Sequence, residues 1–121
     1  MIKLTFALMR LPHLTREAFL DYWHNHHAPL AASLREPLRI RRYVQSHSLP
    51  EAISQDIRRG RGAPPEFDGV AELWYTSFED IAEAMSHREA REANRRLLAD
   101  ERNFIDLPRS PLWWTQEREI F

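Results

Sequence analysis

A chain of 121 residues with 43% hydrophobic and 29% charged side chains has the size and balance of one ordinary globular domain, which excludes a disordered or fibrous polymer. Its 17 basic and 18 acidic residues leave a formal charge of -1, so no overall field draws it to nucleic acid or to an anionic membrane. No cysteine is present, which excludes disulfides, thiolate nucleophiles and cysteine-based zinc sites.

The opening MIKLTFALMR sets Ile2, Leu4, Phe6 and Leu8 against Lys3, Thr5, Ala7 and Met9, the alternation of a half-buried strand. It meets a charge too early for a membrane span and lacks a cleavage pattern, so a cytoplasmic protein is expected. Pro12 breaks the strand, and Thr15 is a good N-cap for a helix with Arg16, Glu17 and Ala18 in its first turn. Phe19, Tyr22, Trp23, His26, His27, Leu30 and Leu34 then share one broad helical stripe, with His24 turned toward solvent. Pro29 inside this pattern predicts a kink or a restart, because proline donates nothing to the backbone ladder.

Residues 38 to 48, LRIRRYVQSHS, read as a second strand with Ile40 and Val44 opposed to Tyr43. Residues 49 to 68 have loop composition with one short helical turn at Glu51 to Ile57, and a loop of this length is expected to be functional or mobile. GVAELWYTS at 69 to 77 is a third strand. Ser77 with Asp80, then Ser86 with Glu89, are two capping-box patterns, which predicts two helical pieces with a bend near Ser86. After Pro108 and Pro111, LWWTQEREIF is a fourth strand whose Trp113 and Trp114 point to opposite faces.

The order is strand, helix, strand, strand, helix, strand, so a ferredoxin-like β-α-β-β-α-β domain of α+β class is predicted, with a four-stranded antiparallel sheet spanning residues 1–121. Both helices would cover one sheet face. The other face, carrying aromatics such as Trp113, Tyr75 or Tyr43, would meet the sheet of an identical chain, which predicts a homodimer.

A strand of about nine residues, then FLDYWHNHHAPLA, then FDGVAELWYTSFEDI, resembles the EthD family of dimeric α+β barrel proteins over nearly the whole chain. The most specific element is Trp23 followed, after three residues, by His27-Ala28-Pro29-Leu30, supported by Phe67-Asp68-Gly69 leading into Ala71-Glu72-Leu73-Trp74. The resemblance implies a dimeric barrel with a ligand pocket between the helices and sheet of each subunit. It also implies small cofactor-free enzymes of the muconolactone isomerase kind, with fungal members associated with polyketide dehydration or related proton transfer. Some distant relatives bind haem in that pocket, which keeps a redox reading open.

The cluster YWHNHHAPL admits several readings. Metal binding needs converging ligands, yet a straight helix points His24 and His26 about 160° apart. Only His24 and His27 share a side, with no third ligand nearby and no HExxH-type base. Otherwise His26 or His27 is a packed imidazole satisfied by a backbone carbonyl, and His24 is solvated. His27 differs because it lies at the edge of the apolar stripe one turn after Trp23, and an imidazole titrating near neutrality suits a general acid or base there. The family match strengthens that assignment.

Asp68 is the second candidate, as a carboxylate that orients His27 or accepts a substrate proton, against an Asx-turn that closes the long loop. Glu72 is either paired with a cross-strand arginine such as Arg41 or buried in the pocket with a raised pKa. Tyr22, Trp23, Trp74 and Trp114 are the candidate apolar walls. The run IRRGRG lacks a phosphate-loop pattern, and no serine nucleophile elbow is present.

The leading expectation is an enzyme without metal or other cofactor that moves a proton on a small apolar cyclic compound such as a lactone, quinone or polyketide-like aromatic. Isomerisation, dehydration and cofactor-independent oxidation are the reaction types, with His27 as acid or base. A non-catalytic small-molecule binder, or accessory protein of a degradation pathway, is the alternative from a different class. A haem or metal oxidoreductase is the third.

Overall fold

The computed structural model describes residues 1–49 and 51–121. Strands β1 (Ile2–Leu8), β2 (Arg42–His47), β3 (Gly69–Tyr75) and β4 (Leu112–Thr115) form one antiparallel sheet in the order β2-β3-β1-β4. Between β1 and β2 run α1 (Arg16–Tyr22), a π-helical turn (Trp23–His27), α2 (Ala28–Ser33) and α3 (Arg35–Leu38). Helix α4 (Glu51–Arg59) joins β2 to β3, while α5 (Phe78–Met85) and α6 (Arg88–Glu101) join β3 to β4. This is the expected ferredoxin-like α+β arrangement.

Register decides which side chains meet the helices. Leu4 lies opposite Leu73 and Trp114, Phe6 opposite Ala71 and Leu112, and Tyr43 opposite Leu73. That face is covered by the helices, while Thr5, Val44, Glu72, Trp74 and Trp113 occupy the other. Tyr43 and Tyr75 therefore point under the helices rather than outward as expected, because period-two alternation keeps them with Leu73. The main core gathers Phe6, Leu8, Phe19, Trp23, Phe104 and Ile105, and a second cluster holds Leu34, Leu38, Ile40 and Ala93.

Local chemistry sets the helix starts. The Thr15 hydroxyl accepts the Ala18 amide at 3.1 Å, and that of Ser77 accepts the Asp80 amide at 3.0 Å. The second capping box does not form. Ser86 keeps helical backbone angles, so its hydroxyl donates back to the Glu83 carbonyl at 2.6 Å, and His87 precedes α6 without a side-chain cap.

Three boundaries differ from expectation. Leu38 and Ile40 belong to a helix end and its exit, because Arg39 adopts a left-handed φ of 56° that terminates α3, and β2 begins only at Arg42. The 49 to 68 segment carries a helix through Arg59 rather than one short turn, tied down where Arg58 pairs with Glu66. Strand β4 stops at Thr115, opposite Lys3 near the start of β1, and Glu117 then accepts from the Trp74 indole at 2.6 Å. Among the described residues no helix is long and apolar enough to cross a membrane.

Candidate functional site

The site begins at Pro29. An α-helical turn would press the proline ring against the carbonyl of Asn25 four residues back. Instead the chain widens into the π turn, where the Ala28 amide reaches back five residues to the Trp23 carbonyl, and Pro29 opens α2 where no donor is needed. The widened turn buries Trp23 and His27 and leaves His24, Asn25 and His26 exposed. His26, expected on the apolar stripe, stacks instead on the outer side of the Tyr22 ring at 5.0 Å.

His27 is held by a carboxylate. Its Nδ1 lies 2.7 Å from Oδ2 of Asp100 near the end of α6, and the Tyr22 hydroxyl donates to the other oxygen at 2.6 Å. Burial pushes the Asp100 carboxyl up, but hydrogen bonds from Tyr22, His27 and Asn103 outweigh it and leave the group below its ordinary value. An ionised carboxylate only accepts, so Nδ1 carries the proton and Nε2 presents its lone pair. Burial lowers the His27 pKa despite the Asp100 hydrogen bond and charge, so the ring is neutral at pH 7.

Among the described residues Nε2 has no protein partner and no buried polar side-chain atom lacks one, so Nε2 is not sealed off, and His27 lines the adjoining cavity. That cavity, about 250 Å³, lies between the helices and the sheet. Leu4, Phe6, Trp23, Leu73 and Leu97 are among the residues of its apolar wall. Its lining residues with polar groups are His27, Glu101, Asn94, Tyr43 and Tyr75, with no lysine or arginine among the described ones, and the Tyr43 hydroxyl accepts from Gln45 at 2.8 Å.

Glu101 was not singled out by the sequence reading. Its carboxyl has no hydrogen-bond or ion-pair partner among the described residues, and burial with the neighbouring Asp100 charge pushes it up to about 7, Arg102 opposing. Burial and the Glu101 charge push the Tyr75 phenol up to about 12, and burial raises that of Tyr43. The signal for Glu101 was spacing. Ala90, Asn94, Leu97 and Glu101 recur at intervals of about one turn, which puts a carboxylate on an apolar helix stripe.

Asp68 is placed elsewhere. It is 1% exposed and accepts from the Arg10 amide at 2.8 Å, the Arg10 guanidinium and Arg16 Nε at 3.0 Å. It therefore neither orients His27 nor closes a local Asx-turn; it pins the end of β1 to the start of α1, and Asp100 holds His27. No described residue of the 49 to 68 segment lines the cavity. Glu72 pairs with Lys3 at 2.5 Å on the open sheet face, rather than with Arg41, because Lys3 stands on the neighbouring strand of the same face.

Of the candidate walls, Trp23 lines the cavity and is 1% exposed. Gly69 lets it sit there, since a Cβ at that position would lie 2.5 Å from Trp23 Cζ3. The Tyr22 ring packs on Phe104 while its hydroxyl is committed to Asp100. Trp114 stands on the helix side, edge-on to Tyr75 and Phe78, without lining the cavity. Trp74 is on the opposite face, under Lys3 and Arg42. His24 and His27, the pair expected to share a helix side, are separated by the π turn, and His24 meets His47 edge-on. Among the described residues no group of three or more His, Asp or Glu side chains is arranged to hold a metal ion.

The molecule is thus an α+β domain with a ligand-sized, mainly apolar cavity and an aspartate-held histidine. The EthD domain profile matches residues 11–108, and the chain belongs to the EthD family. Among solved structures it is similar to an EthD family protein of Bacillus halodurans, at 20% identity and a TM-score of 0.62, covering 98% of this chain and 99% of that one. An EthD-like protein of Ralstonia eutropha matches at 20% identity and a TM-score of 0.59, covering 95% and 89%. HapK of Hahella chejuensis matches at 11% identity and 0.56, covering 100% and 97%. At these identities the likeness speaks for the fold alone. No curated protein matches the chain.

Proposed function

We propose that the protein is an enzyme that moves a proton on or beside an activated carbon of a small apolar cyclic compound, with His27 as general base and then general acid. The observation that carries this reading is the Nδ1 contact to Asp100 at 2.7 Å, which leaves Nε2 unprotonated and open to an apolar cavity. A carboxylate behind a neutral imidazole stabilises the imidazolium formed when Nε2 accepts a proton. Trp23 and the aliphatic wall favour a ring of one or two cycles, in keeping with a cavity of about 250 Å³. Lactones, quinones and aromatic ketones fit this description, and a place in small-molecule degradation follows from such substrates.

The test is deuterium exchange, followed by proton NMR, on a set of enolisable lactones and cyclic ketones. Wild type should accelerate exchange of at least one, and His27→Gln should lower that rate about 10²- to 10⁴-fold while leaving affinity within a few-fold. Equal rates in both proteins would sink the reading and leave a binding protein.

The open sheet face is the second element of the proposal. Val44, Val70 and a half-exposed Trp113 lie on it partly open to solvent, which supports pairing with the same face of a second copy. Sedimentation should give a dimer for wild type and a monomer for Val44→Arg; a monomeric wild type at tens of micromolar would refute the pairing.

A further inference from the structure

We propose that Glu101 is the second proton-transfer group of the cavity, donating to the carbonyl oxygen of an uncharged cyclic ketone while His27 Nε2 takes the proton from the neighbouring carbon. The proposal rests on the His27 reading and adds to it a second residue and a substrate class.

Three observations carry it. Glu101 lines the same cavity as His27, and its half-buried carboxyl has no partner of its own among the described residues. The cavity holds no lysine or arginine, so an anionic substrate would face the carboxyl without a counter-charge, whereas a neutral carbonyl would satisfy it. Asp100 adjoins Glu101 in sequence and already holds His27, so one turn of α6 carries both the carboxylate that steadies the base and the carboxyl that serves as acid.

The charged and titratable groups around Glu101 are His27 from the π turn, Asp100 and Arg102 on its own segment, and Tyr43 and Tyr75 from the sheet. Neutral His27 and two phenols with raised pKa add no charge near pH 7, and the Asp100 charge outweighs that of Arg102. Glu101 thus stays protonated up to about 7.

The step balances within the pair. The C–H electrons become the carbon–carbon π bond of the enol, the carbonyl π electrons move to oxygen, and that oxygen takes the Glu101 proton. His27 is left as imidazolium, held by Asp100, and Glu101 as carboxylate. When the enol oxygen gives its proton back to Glu101 and the imidazolium protonates carbon, both groups are restored; a solvent deuteron taken up at Nε2 before that return gives exchange at the same carbon, and protonation of a conjugated carbon gives isomerisation.

The probe is 1-tetralone, a neutral bicyclic ketone with exchangeable protons next to its carbonyl. Its dissociation constant, measured by calorimetry from pH 5.5 to 9, should be flat at the acid end and rise toward tenfold per pH unit above about 7, because binding requires protonated Glu101. Glu101→Gln keeps an N–H donor but cannot ionise, so its profile should be flat to pH 9, and its exchange rate should fall at least tenfold because an amide releases no proton. His27→Gln should keep the wild-type slope and lose exchange. A Glu101→Gln profile and rate matching wild type would overturn the inference while leaving His27 as base if His27→Gln still loses exchange. Normal pH-dependent binding with no exchange in wild type would remove the His27 reading and the Glu101 transfer step together. Absence of tetralone binding by wild type would overturn the assigned substrate class.

Discussion

Nδ1 of His27 lies 2.7 Å from Oδ2 of Asp100, and the same carboxylate is held at 2.6 Å by the hydroxyl of Tyr22. Three side chains from the first helical region and α6 thus fix one ring nitrogen and free the other. Asp100→Asn keeps the shape but offers an amide that can donate to Nδ1, which moves the imidazole proton onto Nε2 and blocks its use as a base. The exchange rate should fall about 10²- to 10⁴-fold with little change in ligand affinity. Nitrogen NMR of the ring should show the tautomer exchanged; an unchanged tautomer with unchanged rate would remove Asp100 from the mechanism.

Glu101 should make stability fall as pH rises. Its carboxyl holds a proton to about 7 in the fold but only to about 4.5, the ordinary value, when unfolded. Between those values the folded chain binds more protons, so stability declines through that window and the penalty is complete above about 7. Glu101→Gln removes the penalty. The variant should match wild type below pH 4.5 and exceed it at pH 8 by on the order of 3 kcal/mol in urea titrations. Because His27 titrates in both proteins, the difference between their pH profiles isolates Glu101. A constant offset across the whole range would mean that the carboxyl does not retain its proton.

These two residues also mark where sequence reasoning ran out. Periodicity at Ile2, Leu4, Phe6 and Leu8, and caps at Thr15 and Ser77, are local signals, and the fold follows from such signals taken together. His27 was legible because Trp23 and Pro29 bracket it within one turn. Its partner was not, since Asp100 lies 73 positions away and only packing of α6 against the π turn brings it near. Asp68 looked available for His27 because its two arginines, Arg10 and Arg16, are more than fifty positions earlier. The π turn itself is a compromise between proline sterics and the burial of Trp23 and His27, which no fixed angular period describes.

Asp68→Asn should separate architecture from chemistry. The buried carboxylate receives the Arg10 amide, the Arg10 guanidinium and Arg16, and its loss leaves these donors weakly satisfied where β1 meets α1. Both arginines retain access to water, so the cost should be about 1 to 3 kcal/mol rather than the larger penalty of a fully enclosed charge. The exchange rate of the folded variant should stay within about threefold of wild type, because Asp68 does not line the cavity. A loss of exchange comparable to that of Asp100→Asn, with the fold intact, would bring Asp68 back as a catalytic group.

Gly69→Ala should act on the wall of the cavity. A glycine-to-alanine change in extended backbone ordinarily gains about 0.4 to 1 kcal/mol by restricting the unfolded chain. Here the new Cβ would lie 2.5 Å from Trp23 Cζ3 and 2.8 Å from the Ser46 carbonyl oxygen. Neither neighbour yields easily, since the indole is 1% exposed and the oxygen is backbone of the adjacent strand. Overpacking of this kind costs about 1 to 3 kcal/mol and outweighs the entropic gain, so the urea midpoint should drop. The indole must shift into the cavity or part β2 from β3, and in either case tetralone affinity should weaken along with stability. A variant as stable as wild type, with unaltered tryptophan fluorescence, would show that the strand entrance has room that the contacts around Trp23 do not indicate.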